Sequence, residues 1–232
     1  MIKTNDIAAI FREKLKYEEY VTDKNGGKVM EIIGASFEAD KPAIFGTPND
    51  KYIKAEIDWY IGQDTNINAI DYGDEPPKAW QGAANDHGEI NSNYGKLIFS
   101  DMYYRQFENV INELRWNMDT RRASMVYQRP SIWVEFNDAG KNDFICTNAV
   151  TYYIRKGKID CVVQMRSNDV VFGYKNDYAW QKWVLQEVVD EYNATYLENA
   201  ADADYRNSLE VGTITWQVQN LHVYERHFHL VA

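Results

Sequence analysis

No apolar run in the sequence approaches the ~20 residues of a membrane-spanning helix, and the N-terminus, Met1-Ile2-Lys3-Thr4-Asn5-Asp6, has no apolar signal core. A soluble protein of a reducing, cytoplasmic compartment is expected. Cysteine is scarce: Cys146 and Cys161 are two in 232 residues. A chain this long buries about 70–75% of its unfolded surface and needs no disulfide or metal staple. Both thiols are therefore open to other uses. Positive charge is short as well, with 25 Lys and Arg against 35 Asp and Glu and a formal net charge of −10. That balance works against a general attraction to polyphosphate and against a nucleic-acid coat protein. Any phosphate must be met by a local basic cluster. No segment is of low complexity, no period repeats, and the 5 Pro and 13 Gly are scattered, so one domain over 1–232 is expected.

What is present is a globular composition, 45% hydrophobic and 26% charged, with 17 Tyr and 7 Trp. Core filling accounts for most of these aromatics, and the surplus suits stacking against a flat ligand. Ile7, Ile10, Phe11 and Leu15 fall at helical spacing behind Thr4 and Asn5 as caps, predicting a helix that ends near Tyr17. Asp23-Lys24-Asn25-Gly26-Gly27 reads as a turn, and Val29 to Phe37 as a strand. Ile53, Ile57 and Tyr60 predict a helix over 50–61, and Tyr103, Phe107, Val110, Ile111 and Leu114 a longer one over 99–116. The long polar stretch between them reads as a functional loop. Residues 124–127, 131–136, 148–155 and 158–166 are strand-like, the last two joined at Lys156-Gly157 as a hairpin. A helix from Gly173 to about Tyr196 and strands over 213–219 and 221–226 complete an α+β chain whose mixed or antiparallel sheet carries helices on one side.

Taken alone, Cys146 reads as a buried small hydrophobe, since free cysteine is among the most buried residue types. Arg166 lies at the end of the returning hairpin strand, where a guanidinium near the sulfur would lower the thiol pKa and favour the attacking thiolate. A surface ion pair is an equal reading of Arg166.

The run Gln164-Met165-Arg166-Ser167-Asn168-Asp169-Val170-Val171-Phe172-Gly173-Tyr174-Lys175-Asn176-Asp177-Tyr178 resembles the thymidylate synthase signature Q-R-S-x-D-x-x-L-G-x-P-F-N-x-x-x-Y. Glu56-Ile57-Asp58-Trp59-Tyr60 is similar to E-L-L-W-F, and Asp64-Thr65-Asn66-Ile67 equals D-T-N-I. Trp80, Tyr94-Gly95, Arg121-Arg122, Cys146 and His222-Val223-Tyr224 fall in order where the family has W, Y-G, R-R, its nucleophilic C and H-x-Y. The resemblance covers nearly the whole chain and implies a thymidylate synthase-like fold that dimerises through its sheet. The chain departs from the family at Ile145-Cys146-Thr147 in place of P-C-H, at Lys175-Asn176 in place of P-F, and at Asp177 in place of Asn.

Cytosine presents an acceptor at N3 and a donor at N4, the reverse of uracil. A carboxyl at Asp177 can accept from N4 and supply a proton to N3, whereas facing O4 of uracil an ionised carboxylate would oppose two acceptors. Taken alone, Asp177 reads equally as a helix N-cap before Tyr178. Together with Glu31 to Phe37, Gly88 to Gly95 and His222 to Phe228, it makes the chain most similar to the members of the family that hydroxymethylate deoxycytidylate in T-even-type bacteriophages.

That resemblance implies that Cys146 adds to C6 of dCMP, that 5,10-methylenetetrahydrofolate supplies the one-carbon unit, and that water gives the 5-hydroxymethyl product. It implies proton movement by Glu56 assisted by Tyr94 and Asp177, and phosphate held by Arg166 and Ser167 with Lys24 and, across a homodimer, Arg121 and Arg122. His222 and Tyr224 would bond the deoxyribose 3′-hydroxyl, and Trp80, Asp169 and Gly173 would meet the folate. Read alone, Glu56 is a solvated surface carboxylate, Trp80 a core residue and Asp169 a turn residue. The implied partners are dCMP, a second copy and phage nucleotide-precursor enzymes in the host cytoplasm, with no direct nucleic acid and no membrane. Family members usually continue into a C-terminal tail that closes over folate, and lack of that lid would weaken folate binding and admit water. Three other readings stay open: a dCMP methyltransferase, a non-catalytic nucleotide-binding member of a precursor-synthesis complex, and a metal site at Glu225, His227 and His229, the last lacking support around its ligands. The expected set has no metal. Cys161, in the strand over 159–163, is expected to pack as core.

Overall fold

A computed structural model describes residues 1–23, 26–199 and 208–231. In chain order the elements are α1 (Thr4–Lys16), β1 (Val21–Thr22), β2 (Lys28–Glu38), α2 (Asp50–Ile61), α3 (Lys78–Gln81), α4 (Tyr94–Phe99), α5 (Gln106–Trp116), β3 (Ser124–Val126), α6 (Ile132–Glu135), β4 (Thr147–Arg155), β5 (Lys158–Asp169), α7 (Gly173–Asn199) and β6 (Glu210–Tyr224). The strands form one six-stranded mixed sheet in the order β1-β2-β6-β5-β4-β3, so the class is α+β. Among the described residues no helix is long and apolar enough to cross a membrane. The chain divides into two compact units, Met1–Pro48 with Thr151–Ala232, and Asn49–Val150.

In the first unit β6 runs antiparallel to β2 and parallel to β5. Period-two alternation explains the pairing: Ile214, Trp216 and Val218 on β6 and Ile159, Cys161, Val163 and Met165 on β5 are all buried. Helix α7 lies on β5 and β6, burying Trp180, Val184, Leu185 and Val188 at helical spacing. The β4–β5 hairpin turns at Lys156 (φ 51°) and Gly157 (φ 75°), the left-handed pair that a tight two-residue loop requires. The strands expected over 213–219 and 221–226 are one continuous strand, because β2 pairs with both halves in one unshifted register from Val29↔Tyr224 to Glu38↔Thr215. Helix α1 starts behind Lys3, whose backbone N–H donates to Asp6 Oδ2 at 2.7 Å, and not behind Thr4 or Asn5.

In the second unit α2 occupies the span expected from its periodicity, but it buries Ala55, Glu56, Trp59 and Tyr60, while Ile53 and Ile57 are half-buried. The helix expected over 99–116 begins only at Gln106, as α5. Helix α4 ends at Phe99, a 3-10 turn covers Asp101–Tyr103, and Tyr104 (φ 66°) and Arg105 (φ 47°) enter the left-handed region before α5. Residues 131–136 are helical rather than extended. A helical turn sets Trp133 and Phe136, three apart, on one side, with ring centroids 5.1 and 5.4 Å from Phe144; a strand would separate them. The polar stretch between α2 and α4 contains a 3-10 turn at Ile67–Ala69 and α3.

Helices α2 and α4 meet at Gly95, where a β-carbon would stand 1.7 Å from the carbonyl oxygen of Tyr60. Asn93 fixes this crossing: its Nδ2 donates to the carbonyls of Trp59 (3.1 Å) and Asp64 (2.8 Å), and its Oδ1 caps α4 by accepting from the Lys96 N–H at 2.8 Å. Asp64-Thr65-Asn66-Ile67 is a turn with its own wiring. Asp64 Oδ1 accepts from the Asn66 N–H at 2.8 Å, and the Asn66 carbonyl accepts from Trp59 Nε1 at 3.1 Å.

Candidate active site

In the second unit the expected proton carrier Glu56 is 5% exposed, against its lone reading as a surface residue. Its Oε1 accepts from the Tyr52 hydroxyl at 2.6 Å and from Trp80 Nε1 at 2.9 Å, and the two donors are 3.1 Å apart. Burial pushes the Glu56 carboxyl above the usual range, and the two hydrogen bonds pull it back in part. Tyr52 is a hydrogen-bond partner of Glu56 that motif reading missed, although it stands one helical turn before Glu56, where side chains i and i+4 meet. The half-buried Trp80 sits on α3, edge-on to Trp59 at 5.2 Å, its indole oriented by Glu56. Tyr94 is buried at the start of α4, stacked on Tyr60 at 5.3 Å and 18° and edge-on to Tyr127.

Cys146 immediately precedes β4, half-buried between the fully buried Ile145 and Thr147. Its Sγ lies 3.8 Å from the Phe144 carbonyl oxygen. The strand entrance is held on both sides. Gln128 Nε2 donates to the Ile145 carbonyl at 2.9 Å, and the Tyr127 N–H to the Asn148 carbonyl at 3.0 Å. Asp143, also missed by sequence reading, accepts through Oδ2 from the backbone N–H groups of Asn91 and Ser92, each at 2.7 Å. A buried carboxylate thus ties the segment before the thiol to the loop that leads into Tyr94. Cys161, by contrast, is fully buried on β5, and burial pushes its thiol up.

In the first unit the expected ligand-binding residues gather at the C-terminal ends of β5 and β6. Ser167 pairs in register with Asn220 and Asp169 with His222, and the half-buried Arg166 acts electrostatically on His222. His222 and Tyr224 share a strand face with ring centroids 4.9 Å apart. Burial holds the imidazole pKa down, leaving a neutral ring suited to a hydroxyl. Asp169 ends β5 in a turn, Oδ1 accepting from the Val171 and Phe172 N–H groups at 2.9 and 2.7 Å. Its Oδ2 is buried with no hydrogen-bond partner.

Asp177 lies inside α7, in its second turn, and is not an N-cap. Its Oδ2 accepts from Asn168 Nδ2 at 2.7 Å. Gly173, the first residue of α7, has Asn168 Nδ2 3.2 Å from where a β-carbon would stand, so the absence of a side chain leaves room for that amide. Lys175, one of the departures from the family pattern, is buried; its Nζ donates to the Thr47 carbonyl at 3.3 Å and stands 5.0 Å from the Phe172 ring centre.

Arg121 and Arg122 are exposed at the entrance to β3, and Arg122 Nε donates to Glu113 Oε1 at 3.0 Å. Lys24 lies outside the described residues. His227 and His229 stand on a 3-10 turn, Glu225–Leu230, which begins inside the strand expected over 221–226 because pairing with β2 stops at Tyr224. Among the described residues no three His, Cys, Asp or Glu side chains are grouped to hold a metal ion.

The thymidylate synthase family model matches residues 22–232. Deoxycytidylate 5-hydroxymethyltransferase of Enterobacteria phage T4 is 49% identical over 217 residues, covering 94% of this chain and 84% of its own, and the phage T2 protein of that name matches to the same extent. A thymidylate synthase of Francisella tularensis subsp. holarctica is 22% identical over 242 residues, covering 95% of this chain and 82% of its own. With the family model spanning nearly all of it, this chain belongs to the thymidylate synthase family.

Proposed function

We propose that this chain transfers a one-carbon unit to C5 of dCMP and hydrates it, giving 5-hydroxymethyl-dCMP, in the cytoplasm of a phage-infected bacterium. The observation that carries the reading is Asp177, a carboxyl where the family signature has Asn, half-buried and held by an amide N–H, together with 49% identity to relatives named for that reaction. A carboxyl that donates a proton to N3 through one oxygen and accepts from N4 through the other complements cytosine, and the same accepting oxygen, or an ionised carboxylate, confronts O4 of uracil with a second acceptor.

Cys146, as thiolate, forms a bond to C6 and makes C5 nucleophilic, which divides one hard step into two easier ones. Methylenetetrahydrofolate supplies the one-carbon unit when bound. The orphaned Oδ2 of Asp169 fits that group, since a buried acceptor without a partner suits the N–H donors of a pterin, and the half-buried Trp80 supplies an aromatic wall. Glu56, helped by Tyr94, moves the C5 proton and orders the water that completes the product. Arg166 and Ser167, with Lys24 and the partner copy's guanidinium pair at 121–122, hold the phosphate in a homodimer. His222 and Tyr224 take the 3′-hydroxyl.

The test is incubation of the purified chain with methylenetetrahydrofolate and either dCMP or dUMP, with the product identified by mass and Cys146→Ala as control. A hydroxymethyl product from dCMP alone, lost in the variant, is expected. A methyl product would move the assignment to a dCMP methyltransferase, and nucleotide binding without turnover to a non-catalytic member.

A further inference from the structure

Asn168 is 3% exposed and makes two side-chain hydrogen bonds of opposite sense. Its Oδ1 accepts from Trp216 Nε1 at 3.3 Å, and its Nδ2 donates to Asp177 Oδ2 at 2.7 Å. An indole is a donor only, so the fully buried Trp216 dictates which end of the carboxamide faces it. The amino end must then face Asp177. Flipping the carboxamide would set two N–H donors against each other at Trp216 and two acceptors against each other at Asp177, and a buried mismatch of either kind costs about 1–3 kcal/mol. Gly173 leaves the space this amide occupies: any β-carbon there would press on Nδ2 at 3.2 Å. A chain segment, a neighbouring strand and the first turn of α7 thus converge on one orientation of one side chain.

We propose that Asn168 is a positioning residue for base selection: locked by Trp216, it engages Oδ2 of Asp177 and fixes the plane in which that carboxyl meets the pyrimidine edge. The proposal rests on the reading of Asp177 as the group that chooses cytosine, and deepens it. A carboxyl free to rotate can offer either oxygen, or turn away and let a water bridge to O4 of uracil. One anchored through Oδ2 meets the base in a single orientation, and only cytosine complements it. Neither Asn168 nor Trp216 needs to touch the nucleotide.

The experiment measures kcat/KM and dissociation constants for dCMP and dUMP with the full chain, wild type against Asn168→Leu, which keeps the volume and removes both hydrogen bonds, and against Trp216→Phe, which removes the indole donor together with part of the buried ring and keeps Asn168 itself. Asn168→Leu is expected to lower the dCMP/dUMP ratio by about 10- to 100-fold, the equivalent of one charge-assisted hydrogen bond. Trp216→Phe should move the ratio the same way by less. A purely structural role would weaken both nucleotides alike and leave the ratio where it was; an unchanged ratio in folded variants overturns the proposal. If Asn168→Leu fails to fold, Trp216→Phe decides by the same criterion. A wild type that itself shows no preference for dCMP removes the reading of Asp177 and the proposal with it. A wild type that prefers dCMP while the variants keep that preference removes the proposal alone.

Discussion

The hydroxyl of Tyr52 lies 2.6 Å from Oε1 of Glu56, the residue one helical turn ahead of it, and hydrogen-bonds a carboxyl that burial has already pushed above its usual pKa. Removing the hydroxyl in Tyr52→Phe takes away a bond that favours the ionised form. The Glu56 pKa then rises further. With Glu56 as proton acceptor, the acid limb of a kcat/KM profile moves to higher pH, and kcat near neutrality falls by about 10-fold. A profile that keeps its acid limb would exclude this coupling.

Glu56→Gln should remove activity by a factor on the order of 10²–10⁴ and still stabilise the fold at neutral pH. The sign follows from linkage. A carboxyl whose folded pKa lies above its unfolded value binds more protons when folded, so stability falls as pH rises from the unfolded through the folded pKa. The variant does not carry that loss. Urea melts above the Glu56 pKa should show a gain that disappears below the ordinary glutamate range.

The two thiols should differ in native reactivity, since Cys146 is half-buried and Cys161 fully buried with its pKa raised. Titration with an aromatic disulfide reagent is expected to count one thiol in buffer and two in denaturant. Cys146→Ala should leave none reactive in buffer. Rapid reaction of the native variant would contradict the burial of Cys161.

Gly95→Ala places a methyl group on the Tyr60 carbonyl, 1.7 Å from its oxygen, so α2 and α4 must move apart. The contact is backbone, which cannot rotate out of the way. A loss of about 3 kcal/mol or more is expected in chemical denaturation. A variant as stable as the wild type would mean that the helices do not cross at this position.

Lys156 holds φ 51° in the first position of the β4–β5 turn, a conformation that Asn tolerates better than Lys. Lys156→Asn should therefore stabilise the fold by about 0.5–1 kcal/mol in urea melts. Equal midpoints would show the strain to be absorbed by the flanking strands.

What the sequence discloses depends on where the signal is written. The span of α2 and the β4–β5 hairpin are legible because helical periodicity and a Lys-Gly turn are local. The face that α2 buries is not. Hydrophobicity favours Ile53 and Ile57, whereas the helix turns in Glu56, a choice that makes sense only once Trp80 and Tyr52 supply donors. Residues 131–136 mislead because a run of Ile, Trp and Val has strand propensity, and the partner that decides for a helical turn, Phe144, lies beyond the window. Asp177 stands out through a motif departure, but Asn168, which donates to it, and Trp216, which donates to Asn168, are far apart in sequence and meet through the parallel pairing of β5 and β6. Residues that hold other residues leave little mark in a motif.

The β6 strand sits between β2 and β5, yet it is made by the ribosome long after β2, with the whole 49–150 unit synthesised in the interval. Until β6 emerges, β2 and β5 have no common neighbour, and their apolar faces and unpaired edges wait without a template. The segment 49–150, continuous in sequence, is under no such delay. Residues 49–150, which bear Cys146 and Glu56, are thus complete on the ribosome before β6 is made, and a nascent chain halted before β6 leaves one edge of β2 and one of β5 unpaired, the kind of edge on which strands of other chains add.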